Sequence, residues 1–198
     1  MSNTLDNMKI HPSVLAKKLK QGEIAVIPTD TIYGLSTNAL LKDSVENIYR
    51  IKGRAPEKPM IILISKISDL ELFNIKINKS TAKILKKVWP GKVSLILPCN
   101  SKKFHYLHRG TGSLAFRLPA KTDLINLLKI TGPLVSTSAN PEGKTSAKTI
   151  VQAKKYFGDS VELYADEGLL KSAPSTIIEI TNGKVKILRQ GEKRLYSK

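Results

Sequence analysis

The sequence predicts an α/β protein with a mixed sheet. Short apolar runs typical of buried strands intermingle along the chain with amphipathic stretches of helical period. The chain has 198 residues and shows neither an internal repeat nor a low-complexity linker. That length is enough for one hydrophobic core, so we expect a single domain over residues 1–198.

Helices are predicted where apolar residues recur at helical spacing between capping and breaking residues. The first has Pro12 in its first turn and Gly22 at its end, the second begins near Asp43, and Pro90 and Gly91 end the third. The five predicted helices are HPSVLAKKLKQG, DSVENIYRIKGR, KSTAKILKKVWPG, KTDLINLLKITG and AKTIVQAKKYFG.

Strands are predicted where short apolar or β-branched runs lie between turn residues. The nine predicted strands are EIAVIPT, YGLSTNAL, MIILIS, KVSLILP, SLAFRLP, PLVSTSAN, VELYA, STIIEI and KVKILR. MIILIS is apolar throughout, which is typical of a strand covered on both faces.

The composition restricts the function. The net charge is +17 and the lysines are spread along the chain, which indicates a polyanionic partner such as nucleic acid or nucleotide phosphates. A lysine-rich composition without any such partner would look the same. No apolar run approaches the ~20 residues of a membrane span, and the N-terminus does not resemble a signal peptide, so we expect the cytoplasm and no membrane partner.

The sequence provides little for a metal centre and no familiar nucleotide motif. Cys99 is the single cysteine, and the three histidines lack metal-site spacing, so no protein-held metal is expected. There is no P-loop, and the loose dinucleotide match at 110–115 precedes a strand where that motif requires a helix. Matches to penicillin-binding motifs at Ser80 and Ser138 would need a larger, exported chain.

Polar groups follow the predicted strands. Thr29, Asp30 and Thr31 end the first strand, and PLVSTSAN ends in hydroxyls and an amide. Ligands of open α/β sheets bind at strand ends, and hydroxyls with fixed cations suit a phosphate-rich ligand together with a small polar one. Each segment taken alone also fits an ordinary turn or a solvated basic loop.

Six segments together resemble the YrdC/TsaC family, threonylcarbamoyl-AMP synthases, over about residues 10–191. The segments are IPTDTIYGLSTNA, IYRIKGRAPEKPMIILI, VWPGKVSLILP, LAFRLPA, PLVSTSANPEGKTSAKT and STIIEI with ILRQG. The family's K-x-R pair and distant S-x-N are Lys52, Arg54, Ser138 and Asn140 here, and the resemblance makes these the catalytic residues. It also implies a twisted mixed sheet with flanking helices around a basic concave cavity, without the C-terminal domain of the longer members.

The resemblance implies that L-threonine, bicarbonate or CO2, and ATP are joined with release of pyrophosphate. A partner complex then transfers the threonylcarbamoyl group to adenosine 37 of tRNA, so tRNA and the transferase proteins are implied partners, and Mg²⁺ would arrive bound to ATP. The implied ATP-binding residues are Lys52, Arg54, Lys58, Ser113, Ser138, Ser146 and Arg189. The implied threonine-binding residues are Thr31, Arg117, Ser136 and Ser175, with Thr29 and Tyr33 shaping the same wall.

One position departs from the longer family members, which have a threonine-contacting histidine where this chain has Leu63. Two other functions remain open from the residues. A non-catalytic RNA-binding module would explain the charge but not the clustered hydroxyls and Asn140. A carbamoyl-transfer domain of hydrogenase maturation normally lies in a longer chain with zinc-finger-like cysteines.

Overall fold

The computed structural model describes residues 10–181 and 184–195, which form a nine-stranded sheet with helices on both faces. The strands are β1 (Ala25–Pro28), β2 (Tyr33–Asn38), β3 (Ile61–Leu63), β4 (Val93–Pro98), β5 (Ser113–Arg117), β6 (Leu134–Ser138), β7 (Leu163–Tyr164), β8 (Thr176–Thr181) and β9 (Lys184–Arg189). Eight of them lie within a run that the sequence predicts to be a strand, and β8 extends one residue beyond its predicted run.

The helices include the five that the sequence predicts. The α-helices in the described residues are α1 (Pro12–Lys20), α2 (Lys42–Lys52), α3 (Lys79–Val88), α4 (His105–His108), α5 (Thr122–Thr131) and α6 (Ile150–Phe157). The four-residue α4 and a 3₁₀ helix over Ile67–Phe73 were not predicted. Neither is long enough to show a helical period of apolar residues.

The sheet is mixed, as predicted, and its strand order is β7-β1-β2-β6-β3-β5-β4-β8-β9. The pairs β1–β7, β3–β5 and β4–β8 are parallel, and the other five pairs are antiparallel. β6 is inserted between β2 and β3, so strands from distant parts of the sequence meet at the centre.

Alternation along the strands divides the core between the two faces. Val26 and Ile62 belong to a large cluster that includes residues of α2, α3 and α6. Ala25, Ile27 and Leu63, which point the opposite way, pack with α1 and α5 in a smaller cluster. Burying these side chains supplies most of the favourable free energy of folding.

The smaller cluster ends part-way along β6, and this places the cavity. Leu134 belongs to that cluster, whereas Ser136 and Ser138, two and four residues on, line a cavity on the same face. Helices α1 and α5 therefore cover one part of this face and leave another part open to a ligand. No helix in the described residues is long and apolar enough to cross a membrane.

Candidate active site

The cavity has a volume of about 350 Å³ and lies where several strand ends and loops converge. It collects ten of the residues that the sequence predicts, which are Thr29, Thr31, Arg54, Arg117, Ser136, Ser138, Asn140, Ser146, Ser175 and Arg189. Arginines, hydroxyls and one amide therefore share a single space, within the usual size range of small-molecule sites.

The turn between β1 and β2 is held by one hydroxyl. Thr29 Oγ1 donates to the Ile32 carbonyl at 2.7 Å and accepts from the backbone N–H of Thr31 at 3.1 Å and of Ile32 at 3.2 Å. The Thr31 hydroxyl lies 3.0 Å from the same atom. Thr29 thus uses its polar atom to shape the turn, and Thr31 is held at the cavity wall.

Arg117, the last residue of β5, forms a buried ion pair with Asp30 from the β1–β2 turn. Its Nη2 lies 3.1 Å from Asp30 Oδ1, and both side chains are 5% exposed. Burial lowers the pKa of Arg117, and the charge of Asp30 opposes that shift. The Arg117 Nε has no hydrogen-bond partner in the described part of the chain, so an unused donor remains on a guanidinium that lines the cavity.

Lys52 has a different environment from the one predicted. The resemblance implies an ATP contact, whereas Lys52 is the last residue of α2, is 3% exposed and does not line the cavity. Its Nζ donates to the carbonyls of Ser138 at 2.7 Å and Asn140 at 2.5 Å, and lies 3.3 Å from Asn140 Oδ1. Since an ammonium has three donors, these contacts use its capacity on the loop after β6.

The surroundings of Lys52 disfavour its charged form. Burial, followed by repulsion from Arg54, lowers the pKa of Lys52 from 10.5 to about 8, and Glu142 opposes the shift. Asn140 in turn donates through Nδ2 to the carbonyls of Pro141 and Lys144, both at 2.8 Å. The K-x-R and S-x-N segments therefore meet as predicted, but their lysine and asparagine hold a loop in place.

Arg54 and Arg189 are both held by backbone carbonyls. Arg54 donates to Lys58 and Pro59 at 3.0 Å each. Arg189, at the end of β9, donates to the Ser175 carbonyl through Nη2 at 2.8 Å. These bonds orient the two guanidinium groups and leave each with N–H donors for an anion in the cavity.

Gly191 allows the β8–β9 hairpin to pack closely against the Ser175 segment. A Cβ at Gly191 would lie 2.2 Å from the Pro174 carbonyl oxygen, so no side chain fits there. The Ser175 hydroxyl pairs with that of Ser94 at 2.9 Å. This contact with β4 fixes the segment at the cavity wall.

Four predicted residues, Lys52 and three others, lie outside the cavity lining. Ser113 begins β5, with its hydroxyl 3.4 Å from that of Thr111, and Lys58 pairs with Glu142. Tyr33 corrects the expectation for the cavity wall, because its ring belongs to the core cluster on the other face and its hydroxyl donates to the Gly168 carbonyl at 2.8 Å. The alternation along β2 explains this placement, since Gly34 faces the cavity and Tyr33 faces away.

Sequence reasoning did not assign Asp30, Lys144 or the apolar wall formed by Met60, Ile61 and Leu63. Leu63 is fully buried and lies beside Arg117 in the β3–β5 register. Lys144 could have been noticed because it lies between two predicted residues, Asn140 and Ser146. The Asp30–Arg117 contact has no local signal, since it depends on the sheet bringing two distant segments together.

A family model described as "Telomere recombination" (Sua5/YciO/YrdC) matches residues 17–191. The chain belongs to this family. A threonylcarbamoyl-AMP synthase of Cellvibrio japonicus is 30% identical, over 86% of this chain and 91% of that protein. The synthase of Pyrococcus abyssi is also 30% identical, over 90% of this chain, but this chain spans only 53% of its length.

Solved structures of the Sua5/YciO/YrdC family share the fold. Pyrococcus abyssi Sua5 complexed with L-threonine has a TM-score of 0.84 at 30% identity, over 91% of this chain and 54% of that one. Escherichia coli YciO has a TM-score of 0.80 at 23% identity, over 91% of this chain and 88% of that one. The predicted twisted α/β sheet of the family is confirmed.

Proposed function

We propose that this family member is an L-threonylcarbamoyladenylate synthase. It is a nucleotidyltransferase that joins L-threonine, bicarbonate or CO2, and ATP into threonylcarbamoyl-AMP and releases pyrophosphate. The observation that carries the proposal is the single cavity in which Arg117 lies among hydroxyls while Arg54 and Arg189 offer further cationic donors. The threonine bound to the Pyrococcus relative supports the same substrate here.

The proposed threonine site uses Arg117 for the carboxylate, because a planar guanidinium suits a two-oxygen anion. Asp30 restrains one side of the group, and the Nε has no partner within the described residues. Thr31, Ser136 and Ser175 surround this position with hydroxyls. The amine of threonine would then be oriented toward the remaining space of the cavity.

The proposed ATP site is the part of the cavity lined by Arg54, Ser138, Ser146 and Arg189. The amine of threonine captures CO2 as a carbamate, whose oxygen attacks the α-phosphorus in line while pyrophosphate leaves. Such a transfer depends on positioning and on cations that stabilise developing charge. Lys52 supports this transfer by fixing the Ser138–Asn140 loop.

Mg²⁺ fits this site as an ion delivered with ATP. The described residues contain no group of three or more histidine, cysteine or acidic side chains that could hold a metal, whereas phosphate oxygens and water satisfy Mg²⁺ without one. When bound, the ion would neutralise charge on the phosphates. Arg54 and Arg189 would share that task from the protein side.

The product would be consumed by a threonylcarbamoyl-transferase complex that modifies adenosine 37 of tRNA. These partners and a cytoplasmic location are part of the proposal. An RNA-binding module without catalysis would use the same positive charge. It would not require a small-molecule cavity with Arg117 among hydroxyls that suit threonine.

The test is pyrophosphate release by the purified protein with ATP and Mg²⁺, with and without threonine and bicarbonate. We expect release only when all substrates are present. Arg54→Ala should reduce it at least 100-fold, since losing a cation at developing phosphate charge costs about 3 kcal/mol. Arg50→Ala, at an exposed position on α2 where the arginine contacts Asn47, is the matched control and should retain activity. Release without threonine, or full activity of Arg54→Ala, would contradict the proposal.

A further inference from the structure

The Glu142 carboxylate connects two loops at the edge of the cavity. Its Oε2 accepts from the Ala55 amide at 2.6 Å, and its Oε1 pairs with the Lys58 ammonium. The backbone N–H of Glu142 donates to the Lys52 carbonyl at 2.9 Å. The loop after β6 is thereby joined to the loop after α2, and both contribute side chains to the cavity lining.

Lys58 is directed to Glu142 and does not line the cavity, although Arg54 and Pro59 on either side of it do. The Lys58 side chain is 53% exposed and that of Glu142 is 31% exposed. The hydrogen bonds from Lys58 and Ala55 lower the pKa of Glu142, so the group is a carboxylate at neutral pH. A negative charge thus lies among the cations nearest to the proposed phosphate site.

Lys58 can leave Glu142 for another anion at a small cost in free energy. An exposed lysine–carboxylate pair contributes little net stability, and the lysine stem is flexible enough to reach a second anion. A nucleotide triphosphate carries several negative charges and many acceptor oxygens, so it is a stronger partner for an ammonium than one carboxylate. The Ala55 hydrogen bond would meanwhile keep Glu142 close, where its charge repels the phosphates.

We propose that Glu142 sets the nucleotide affinity of the cavity by competing with ATP phosphates for Lys58. Without nucleotide, Lys58 is paired with Glu142. With nucleotide, the ammonium transfers to a phosphate oxygen, and the carboxylate keeps its bond to Ala55. This inference rests on the proposed function, in that it takes the bound anion to be ATP.

The test is ATP binding by calorimetry, without threonine, to the wild type and to Glu142→Gln. Glutamine keeps an acceptor for the Ala55 N–H and removes the charge that competes for Lys58. We expect Kd to fall about two- to fivefold, the scale of one exposed charge contact. Lys58→Gln should raise Kd. Adding Glu142→Gln to Lys58→Gln should lower Kd by a much smaller factor than Glu142→Gln does in the wild type, since the competition for Lys58 has been removed.

Glu162→Gln is the matched control. Glu162 is exposed, pairs with Lys18 of α1 at 3.7 Å, and its change to glutamine raises the net charge of the chain by the same amount. We expect its Kd to equal the wild-type value. An equal gain in this control would assign the effect to net charge and overturn the inference.

The remaining outcomes separate the two proposals. A wild type that binds ATP while Glu142→Gln binds it equally or more weakly would overturn this inference alone. An unchanged Kd in Lys58→Gln would do the same, even if Glu142→Gln failed to fold. A wild type that does not bind ATP would overturn the proposed function together with the inference.

Discussion

Arg117 is the residue on which the proposed preference for threonine depends. It lies almost fully buried between Asp30 and the cavity, with Arg189 close enough for its charge to lower the pKa of Arg117 further. Only a permanently charged side chain with several donors can satisfy both a protein carboxylate and a substrate carboxylate. Asp30 is thus part of the site through its contact with Arg117.

Arg117→Lys is expected to raise the apparent KM for threonine at least tenfold while changing that for ATP less than twofold. Lysine keeps the charge but loses the forked geometry, and the loss of one charged hydrogen bond costs about 1.5–3 kcal/mol. The measurement is pyrophosphate release with each substrate varied in turn. Equal effects on both KM values would mean that Arg117 does not contact threonine.

For individual residues, the sequence predicted which ones line the cavity better than it predicted what each side chain contacts. Residues at or just after strand ends, such as Ser138 and Thr31, lie in the cavity because strand ends converge there. Lys52 was expected to face ATP, whereas its ammonium contacts two carbonyls of the loop after β6. That difference depends on how α2 packs, which a local pattern does not encode.

The junction between α2 and the loop after β6 is the element on which the site depends. Gly53 ends α2 in the left-handed conformation, with φ of 60°, and the chain then turns along the cavity edge. The Lys52 ammonium donates to the Ser138 carbonyl at the start of the loop after β6, and the Lys52 carbonyl accepts from the backbone N–H of Glu142 on the same loop. One residue therefore fixes this loop through both its side chain and its backbone.

The buried ammonium should give a measurable dependence of stability on pH. The folded pKa of Lys52 is about 8, against 10.5 in the unfolded chain, so between these values the unfolded chain binds more protons at this site. The contribution of Lys52 to the free energy of unfolding therefore rises from pH 8 to pH 10.5. Below pH 8 both states are protonated, and the cost of burying the charge is present in full.

Lys52→Met removes this titration. The free energy of unfolding of the wild type minus that of the variant should increase by about 3 kcal/mol between pH 8 and 10.5, at 1.36 kcal/mol for each unit of pKa shift. Urea denaturation at a series of pH values measures it. Lys155→Met, at an exposed position on α6, should show no such trend. A difference that stays constant with pH would contradict the depressed pKa.

For the whole molecule, the sequence predicted nine strands and five of the helices but not the order of the strands. Periodicity identifies each element because it reflects local burial. The insertion of β6 between β2 and β3 brings Ser138 opposite Gly34 and builds the cavity. This pairing is non-local, so the periodicity of the individual segments does not predict it.

The charge of +17 belongs to the molecule as a whole and carries the last prediction. If most of the lysines serve contact with tRNA, RNA binding should weaken steeply with salt and show little sequence preference, because phosphate contacts release counterions. Adenylate synthesis should change much less over the same range, because Arg117 is buried and Arg54 is half-buried, so both are screened less than exposed lysines. Synthesis should also proceed with no RNA present, since its substrates are small molecules.

Both quantities are to be measured across one salt series, with tRNA affinity by filter binding and synthesis by pyrophosphate release. We expect at least a tenfold loss of tRNA affinity between 50 and 200 mM salt, as about three or more phosphate contacts would give. A requirement for tRNA in adenylate synthesis would contradict this separation of roles. Undetectable tRNA binding at low salt would instead show that the positive charge has another origin, because the lysines would then have no contact with RNA to explain them.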